Sequence, residues 1–283
     1  MATSPRATKA QRRDDARAAA ERLRAEQERK TRRQRTIVIA AVVGVVAILA
    51  VLISLIVAEG NRSKLEDVAL RPQGSTLSGA IPVGPEGIAG TTEGAADDAV
   101  VVSVYSDYIC PFCALFELTN GPVLDELREA GEIIVEYHPV AILDRASLGS
   151  AYSTRSVTAA ALVADRAPEA FVAFNSALFA NQPAEGTAGL SDAEIADLAR
   201  GAGVPDDVVA LIESGDYLGP VDATMEETEA TFVPWVVAAT EQASKDLGRL
   251  ATPTILLNGK ALDVKYDWRQ EGVLAEAIAE ARG

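Results

Sequence analysis

The stretch AVVVSVYSDYICPFC, residues 99–113, decides the fold. Its first seven residues are mostly apolar and β-branched, too few for a helix and suited to a buried strand. They run through Ser106, Asp107, Tyr108 and Ile109 into Cys110, Pro111, Phe112 and Cys113, so one C-x-x-C holds both cysteines of the 283-residue chain. Beyond it, Leu115, Phe116, Leu118, Val123, Leu124 and Leu127 keep an apolar helical pattern until Gly131 stops it. Pro111 suits the first helical turn, where its missing N–H is not needed. The segment therefore reads as a strand, then C-P-x-C, then a helix.

That order is what a dithiol redox site requires. A free cysteine is about 3% ionised at pH 7, and the thiolate is the attacking species. Cys110 at a helix N-terminus meets free backbone N–H groups and the positive end of the helix dipole, which favour the anion. Cys113 returns beside it one turn later. Cys110 is expected to be the exposed sulfur and Cys113 the buried one that resolves mixed disulfides. Other readings of C-x-x-C fit less well. A zinc site lacks its second half, because His138 is the only histidine and no third cysteine exists. Haem attachment needs a histidine where Ala114 stands. A structural disulfide across so short a loop would constrain the unfolded chain very little. No metal and no cofactor is expected.

A second motif lies some 140 residues on. Residues 251–260, ATPTILLNGK, place Pro253 at the head of a strand that ends in an Asn258-Gly259 turn, with residues 261–264 as its partner strand. A proline is permitted at a strand's first residue, and the Thr252-Pro253 bond is either an ordinary trans bond at an edge or a cis bond.

Together V-Y-S-D-Y-I-C-P-F-C and T-P-T-I-L-L-N-G-K resemble the active-site segment and the cis-proline strand of the DsbA-like thioredoxin-fold oxidoreductases, particularly their membrane-anchored bacterial branch. The resemblance covers the chain from about Ile81 to its C-terminus. It implies an α/β thioredoxin fold with a helical insertion at about 146–248. It also implies Cys110 as nucleophile, Cys113 as resolving thiol, Pro111 and Phe112 as the active-site loop, and Thr252 with Pro253 as the strand edge that pairs with an extended substrate. Two positions depart from the family pattern. The acid many members carry six residues before the first cysteine is Val104 here, and Asp107 is either the substitute proton acceptor or an exposed turn or cap residue. Phe112 brings neither charge nor hydrogen bond to the thiolate, which predicts a less depressed Cys110 pKa, not below 4, and a weaker oxidant than the strongest members.

The intervening sequence supplies one strand within 131–140 and helices at 146–165, 169–180, 192–200 with Ser191 as cap, 206–213, 222–230 and 234–247, before a closing helix at 268–281. Residues 80–83 are read as a short edge strand. His138, Trp235 and Trp268 are read as structural.

Charge divides the chain in three. The first 35 residues carry +7, none of residues 36–58 is charged, and the remainder carries −22. Residues 37–58 are long enough to cross a bilayer's hydrocarbon core, about 30 Å. Arg29, Lys30, Arg32, Arg33 and Arg35 precede the run, so the positive-inside rule keeps the N-terminus cytoplasmic and puts the rest outside. The expected organisation is a basic cytoplasmic tail at 1–36, a transmembrane helix at 37–58, an extracytoplasmic linker at 59–78 and the folded domain at 79–283. An acidic body excludes nucleic acid as partner. The partners implied are exported cysteine-containing proteins, a membrane or small-molecule reoxidant, and the lipid bilayer. The activity expected is oxidation of exported dithiols, with a reductase, an isomerase or a tethered chaperone as alternatives.

Overall fold

The computed structural model describes residues 9–219 and 231–283. The chain divides into two compact units that meet between Arg62 and Ser63.

The first unit is a single helix, α1 (Lys9–Asn61). Its basic and apolar halves are continuous, so the basic tail is helical from Lys9 onward. Alternation of Arg, Ala, Glu and Gln suits a helix, and the Val- and Ile-rich half has no Pro to break it. In the apolar half Val38, Ile39, Val43 and Ile48 are each about 60% exposed. It is the one helix among the described residues long and apolar enough to cross a membrane.

The second unit is built on a five-stranded mixed sheet of β1 (Ile81–Val83), β2 (Val100–Ser106), β3 (Ile133–Pro139), β4 (Thr254–Leu257) and β5 (Lys260–Ala261), in spatial order β1-β3-β2-β4-β5. β2 and β3 are parallel, joined by α2 (Pro111–Glu129), and the other pairings are antiparallel. β2 is central, which suits its near-continuous apolar run, buried on both faces. It points its C-terminal end, and hence the C-x-x-C, at the edge where β4 begins. The helices of the insertion are α3 (Tyr152–Arg166), α4 (Phe171–Ala180), α5 (Asp192–Gly201), α6 (Asp206–Ser214) and α7 (Val233–Leu247), and α8 (Val273–Arg282) closes the domain. The expected helix at 222–230 lies outside the described residues.

Where elements start differs from expectation for local reasons. α3 begins at Tyr152 rather than 146 because Leu148 and Ala151 both sit at φ +52° and break the helical run. α8 begins at Val273 rather than 268 because Gly272, at φ +82°, is its N-cap. The hairpin turn falls on Asn258 and Gly259, at φ +49° and +75°, as a type I′ turn requires, but its second strand is only Lys260–Ala261 and Val264 is fully exposed. α5 carries the full capping box: Ser191 Oγ accepts from Glu194 N at 3.3 Å, and Glu194 Oε2 accepts from Ser191 N at 2.7 Å.

The stretch expected as a linker is a correction. Leu65 has no exposure and belongs to the main core, Lys64 N donates to Gln242 Oε1 of α7 at 2.9 Å, and Gln73 N donates to Asp165 Oδ1 at 3.1 Å. An apolar side chain at 65 makes packing worth more than the freedom lost, so the domain starts near Ser63.

Two apolar layers flank the sheet. α3, α4 and α7 bury Phe171, Phe174 and Trp235 on one side. Phe116, Leu124, Leu274 and Ile278 form the other core, with Trp268 set edge-on to Phe116 at 5.6 Å. Both tryptophans thus pack. His138 is buried as well, stacked on Tyr105 at 4.0 Å and 3.7 Å from Glu136 Oε2.

Candidate active site

The end of β2 delivers Cys110 as N-cap of α2, with extended backbone at φ −73° and ψ 115°. Its carbonyl starts the helix by accepting from Cys113 N at 2.9 Å, and Pro111 fills the first position. Both cysteines are unbonded thiols. Thr252-Pro253 is a cis peptide, and it brings the Thr252 carbonyl to 3.4 Å from Cys110 Sγ. The two motifs read from sequence meet here.

Cys110 was expected exposed and Cys113 buried. Both are buried, at 5% and 1% exposure, because the Thr252-Pro253 segment lies against Cys110. The loop's exposed residues are Pro111 and Phe112, the latter at 57%. Phe112 shares a groove of about 600 Å³ with Pro253, Thr254, Leu262, Tyr266 and Trp268. Trp268 therefore borders the site with its packed ring.

The two thiols are driven apart electrostatically. A hydrogen bond from the Cys113 thiol pulls the Cys110 pKa down from 9.0 to about 6, against the opposing effect of burial, with help from Thr252 and the backbone N–H groups of Cys113 and Phe112. Burial pushes Cys113 the other way, and its bond to Cys110 pushes it further. The neighbouring thiol, rather than the helix end alone, does most for the Cys110 thiolate. A fall to about 6 favours ionisation by about 4 kcal/mol and leaves about 90% thiolate at pH 7, against about 1% for a thiol at 9.

A pH dependence follows. Because the folded pKa is depressed, ionised Cys110 stabilises the dithiol form fully above about pH 9, and that contribution is lost as pH falls through about 6. The melting temperature of the dithiol form relative to the disulfide form should decline as pH is lowered from about 8 to about 5. A difference that stays flat over that range contradicts the thiolate assignment. Alkylation of Cys110 should follow a titration centred near pH 6.

Asp107, expected as a possible proton acceptor, is a structural residue here. It has no exposure and its oxygens are occupied: Oδ1 accepts from Ile109 N at 3.1 Å and Ser153 Oγ at 2.7 Å, and Oδ2 accepts from Ile142 N at 2.9 Å and Leu143 N at 3.0 Å. Burial raises its pKa and these four donors lower it. It ties the loop before Cys110 to α3 and to the segment after β3.

Sequence reasoning missed two neighbours of the site. Gln182, just after α4, donates to the carbonyls of Tyr108 at 3.1 Å and Cys110 at 2.9 Å, and nothing local in the sequence signals a contact across 72 residues. Gln182→Ala takes this donor from the Tyr108 carbonyl, leaves the Cys110 carbonyl with only Cys113 N and Ala114 N, and should lower stability by about 1–2 kcal/mol in urea unfolding. Glu117 lies one helical turn beyond Cys113, a spacing that would have drawn attention to it. Its Oε1 accepts from Ser176 Oγ at 2.7 Å and Asn175 Nδ2 at 3.3 Å on α4. Among the described residues no group of His, Cys, Asp and Glu could hold a metal ion.

Comparison with known proteins agrees with this geometry. The family model described as thioredoxin matches residues 88–273. The chain belongs to the thioredoxin family. Reduced DsbG from Mycobacterium tuberculosis, a disulfide bond oxidoreductase, is 32% identical over 78% of this chain and 93% of its own, with a TM-score of 0.54. Oxidised DsbA from the same organism is 33% identical over 72% of this chain and 93% of its own, with a TM-score of 0.53. The serine/threonine-protein kinase PknE of Mycobacterium tuberculosis is 30% identical over 155 residues, which are 53% of this chain and 27% of the kinase. The chain thus spans about a quarter of that relative's length. This thioredoxin-family protein is a DsbA-like thiol:disulfide oxidoreductase.

Proposed function

We propose that this oxidoreductase is a membrane-anchored oxidase that introduces disulfides into exported proteins through Cys110 and Cys113, outside the cytoplasmic membrane. The observation that carries this reading is the Cys110 pKa of about 6 at a helix N-cap. A stabilised thiolate is a good leaving group and favours the dithiol state, so the disulfide state readily accepts electrons from a client.

In the disulfide form, a client thiolate attacks Cys110 Sγ. The Cys110–Cys113 bond breaks and Cys113 leaves as the thiolate. The client's second thiolate then attacks the client sulfur of the mixed disulfide and expels Cys110. The client ends with one disulfide, and the cysteine pair carries its two electrons until a membrane or small-molecule oxidant removes them. An extended client segment pairs along the backbone at Thr252 and Pro253, with Phe112 and the adjoining groove offering apolar contact. Backbone pairing reads little of the side chains, which suits varied clients.

Anchoring is supported by the exposed apolar half of α1 behind its basic tail. The test of direction is the state of the pair in living cells, trapped by acid and thiol alkylation. The disulfide form should predominate, and a predominantly dithiol population makes the chain a reductase. Protease added to intact spheroplasts should remove the domain that begins near Ser63 and spare the N-terminal tail. Protection of that domain contradicts the topology.

A further inference from the structure

Cys113 must gain a proton when it leaves and lose one when it attacks, and it is 1% exposed. Position 104, where many members of the family carry an acid, holds Val104, and Asp107 has both oxygens occupied. Val104 is nonetheless one wall of a cavity of about 10 Å³, the space of a single water molecule, bounded also by Ser106, Cys113, Glu117, Tyr137 and Asn175. Glu117 and Cys113 are four residues apart on α2 and leave the same face. Both of the Glu117 hydrogen bonds from α4 fall on Oε1, and neither engages Oε2.

We propose that Glu117 is the proton donor and acceptor for Cys113, exchanging the proton across this cavity. The proposal rests on Cys113 being the resolving thiol. When a client thiolate opens the disulfide, protonated Glu117 gives its proton to the departing Cys113 thiolate and becomes a carboxylate. When Cys113 attacks a mixed disulfide on Cys110, its thiol proton passes to the Glu117 carboxylate, the new S–S bond forms and the ligand leaves as a thiolate.

The surrounding groups fit this role. Burial raises the Glu117 pKa, Ser176 lowers it, the Asp125 charge raises it again and Asn175 lowers it. Tyr108 and Tyr137 face the same carboxylate with pKa values raised well above 10 by burial, so neither competes as an acceptor. Arg128, the cation of the same helix, is bonded to the Gly84 and Pro85 carbonyls and to Asp125. Glu117 is the carboxyl on the cavity wall.

The test uses the chain carrying glutathione in a mixed disulfide on Cys110, with glutathione release followed from about pH 5 to about pH 9. Glu117→Gln keeps an acceptor for Ser176 and Asn175, and thermal unfolding reports whether the fold is intact. Release at pH 7 should fall about 100-fold, the low end of what a positioned acid or base contributes. The Glu117→Gln rate should also rise with pH across the whole range, as unassisted thiol ionisation does. Glu117→Asp should recover part of the rate and the wild-type shape of the profile. Release by Glu117→Gln that matches wild type at every pH overturns the proposal. So does an equal slowing in the Gln and Asp variants with the wild-type profile, which would mark a packing role. Cys113→Ala in parallel keeps the outcomes distinct: it should hold its glutathione, and release at the wild-type rate would contradict the resolving role of Cys113 instead.

Discussion

Cys110→Ser should abolish oxidation of a reduced client, down to the level of the buffer control, while leaving the fold intact. The oxygen is smaller than the sulfur it replaces in a site 5% exposed, so packing changes little. Chemistry changes completely, because the remaining Cys113 has no partner for a disulfide and no electrons can be accepted. Burial also keeps Cys113 protonated, so it does not take over as nucleophile. Refolding of a reduced client enzyme, scored by its regained activity, measures this directly. Substantial client oxidation by the Ser variant would leave only a binding role for the site, the behaviour of a tethered chaperone.

Asp107→Ala carries the largest expected effect on stability, a loss of about 3–5 kcal/mol in urea unfolding. The side chain gathers Ile109 N, Ser153 Oγ, Ile142 N and Leu143 N around one buried carboxylate. Removing it strands donors in three separate segments at once. Asp107→Asn should also destabilise, because the amide turns one acceptor into a donor facing N–H groups. A loss below about 1 kcal/mol would show that the four bonds do not hold the loop. Because Asp107 stands three residues before Cys110, the same variant should raise the Cys110 pKa as the loop loosens, which the pH dependence of alkylation reads out.

What the sequence made legible was local. The run 99–105, the C-P-x-C and the helical pattern after it are contiguous, and each element constrains the next, so β2, the N-cap and α2 were all readable. Ser191 as a cap announced α5 in the same way. Thr252 and Pro253 were legible as a motif, although their approach to Cys110 spans 142 residues and was reached through family resemblance alone. Asp107 shows the limit most clearly: its residue type suits a proton acceptor, and only the folded contacts reveal four donors already on it. Gln182 and Leu65 were invisible for a related reason, since a polar residue after a helix and a leucine in a polar stretch look ordinary until their distant partners arrive. The early break before Tyr152 depends on two non-glycine residues at positive φ, which composition does not announce.

Cys110 is the sulfur that forms mixed disulfides with exported proteins outside the membrane. Cys113→Ala removes the thiol that would resolve a mixed disulfide, so its covalent partners accumulate. Purified from cells after acid quenching and alkylation, this variant should be bound through Cys110 to exported, cysteine-containing proteins, released by a reductant and identified by mass spectrometry. Adducts absent from the Cys113→Ala chain, or formed only with cytoplasmic proteins, would contradict the account.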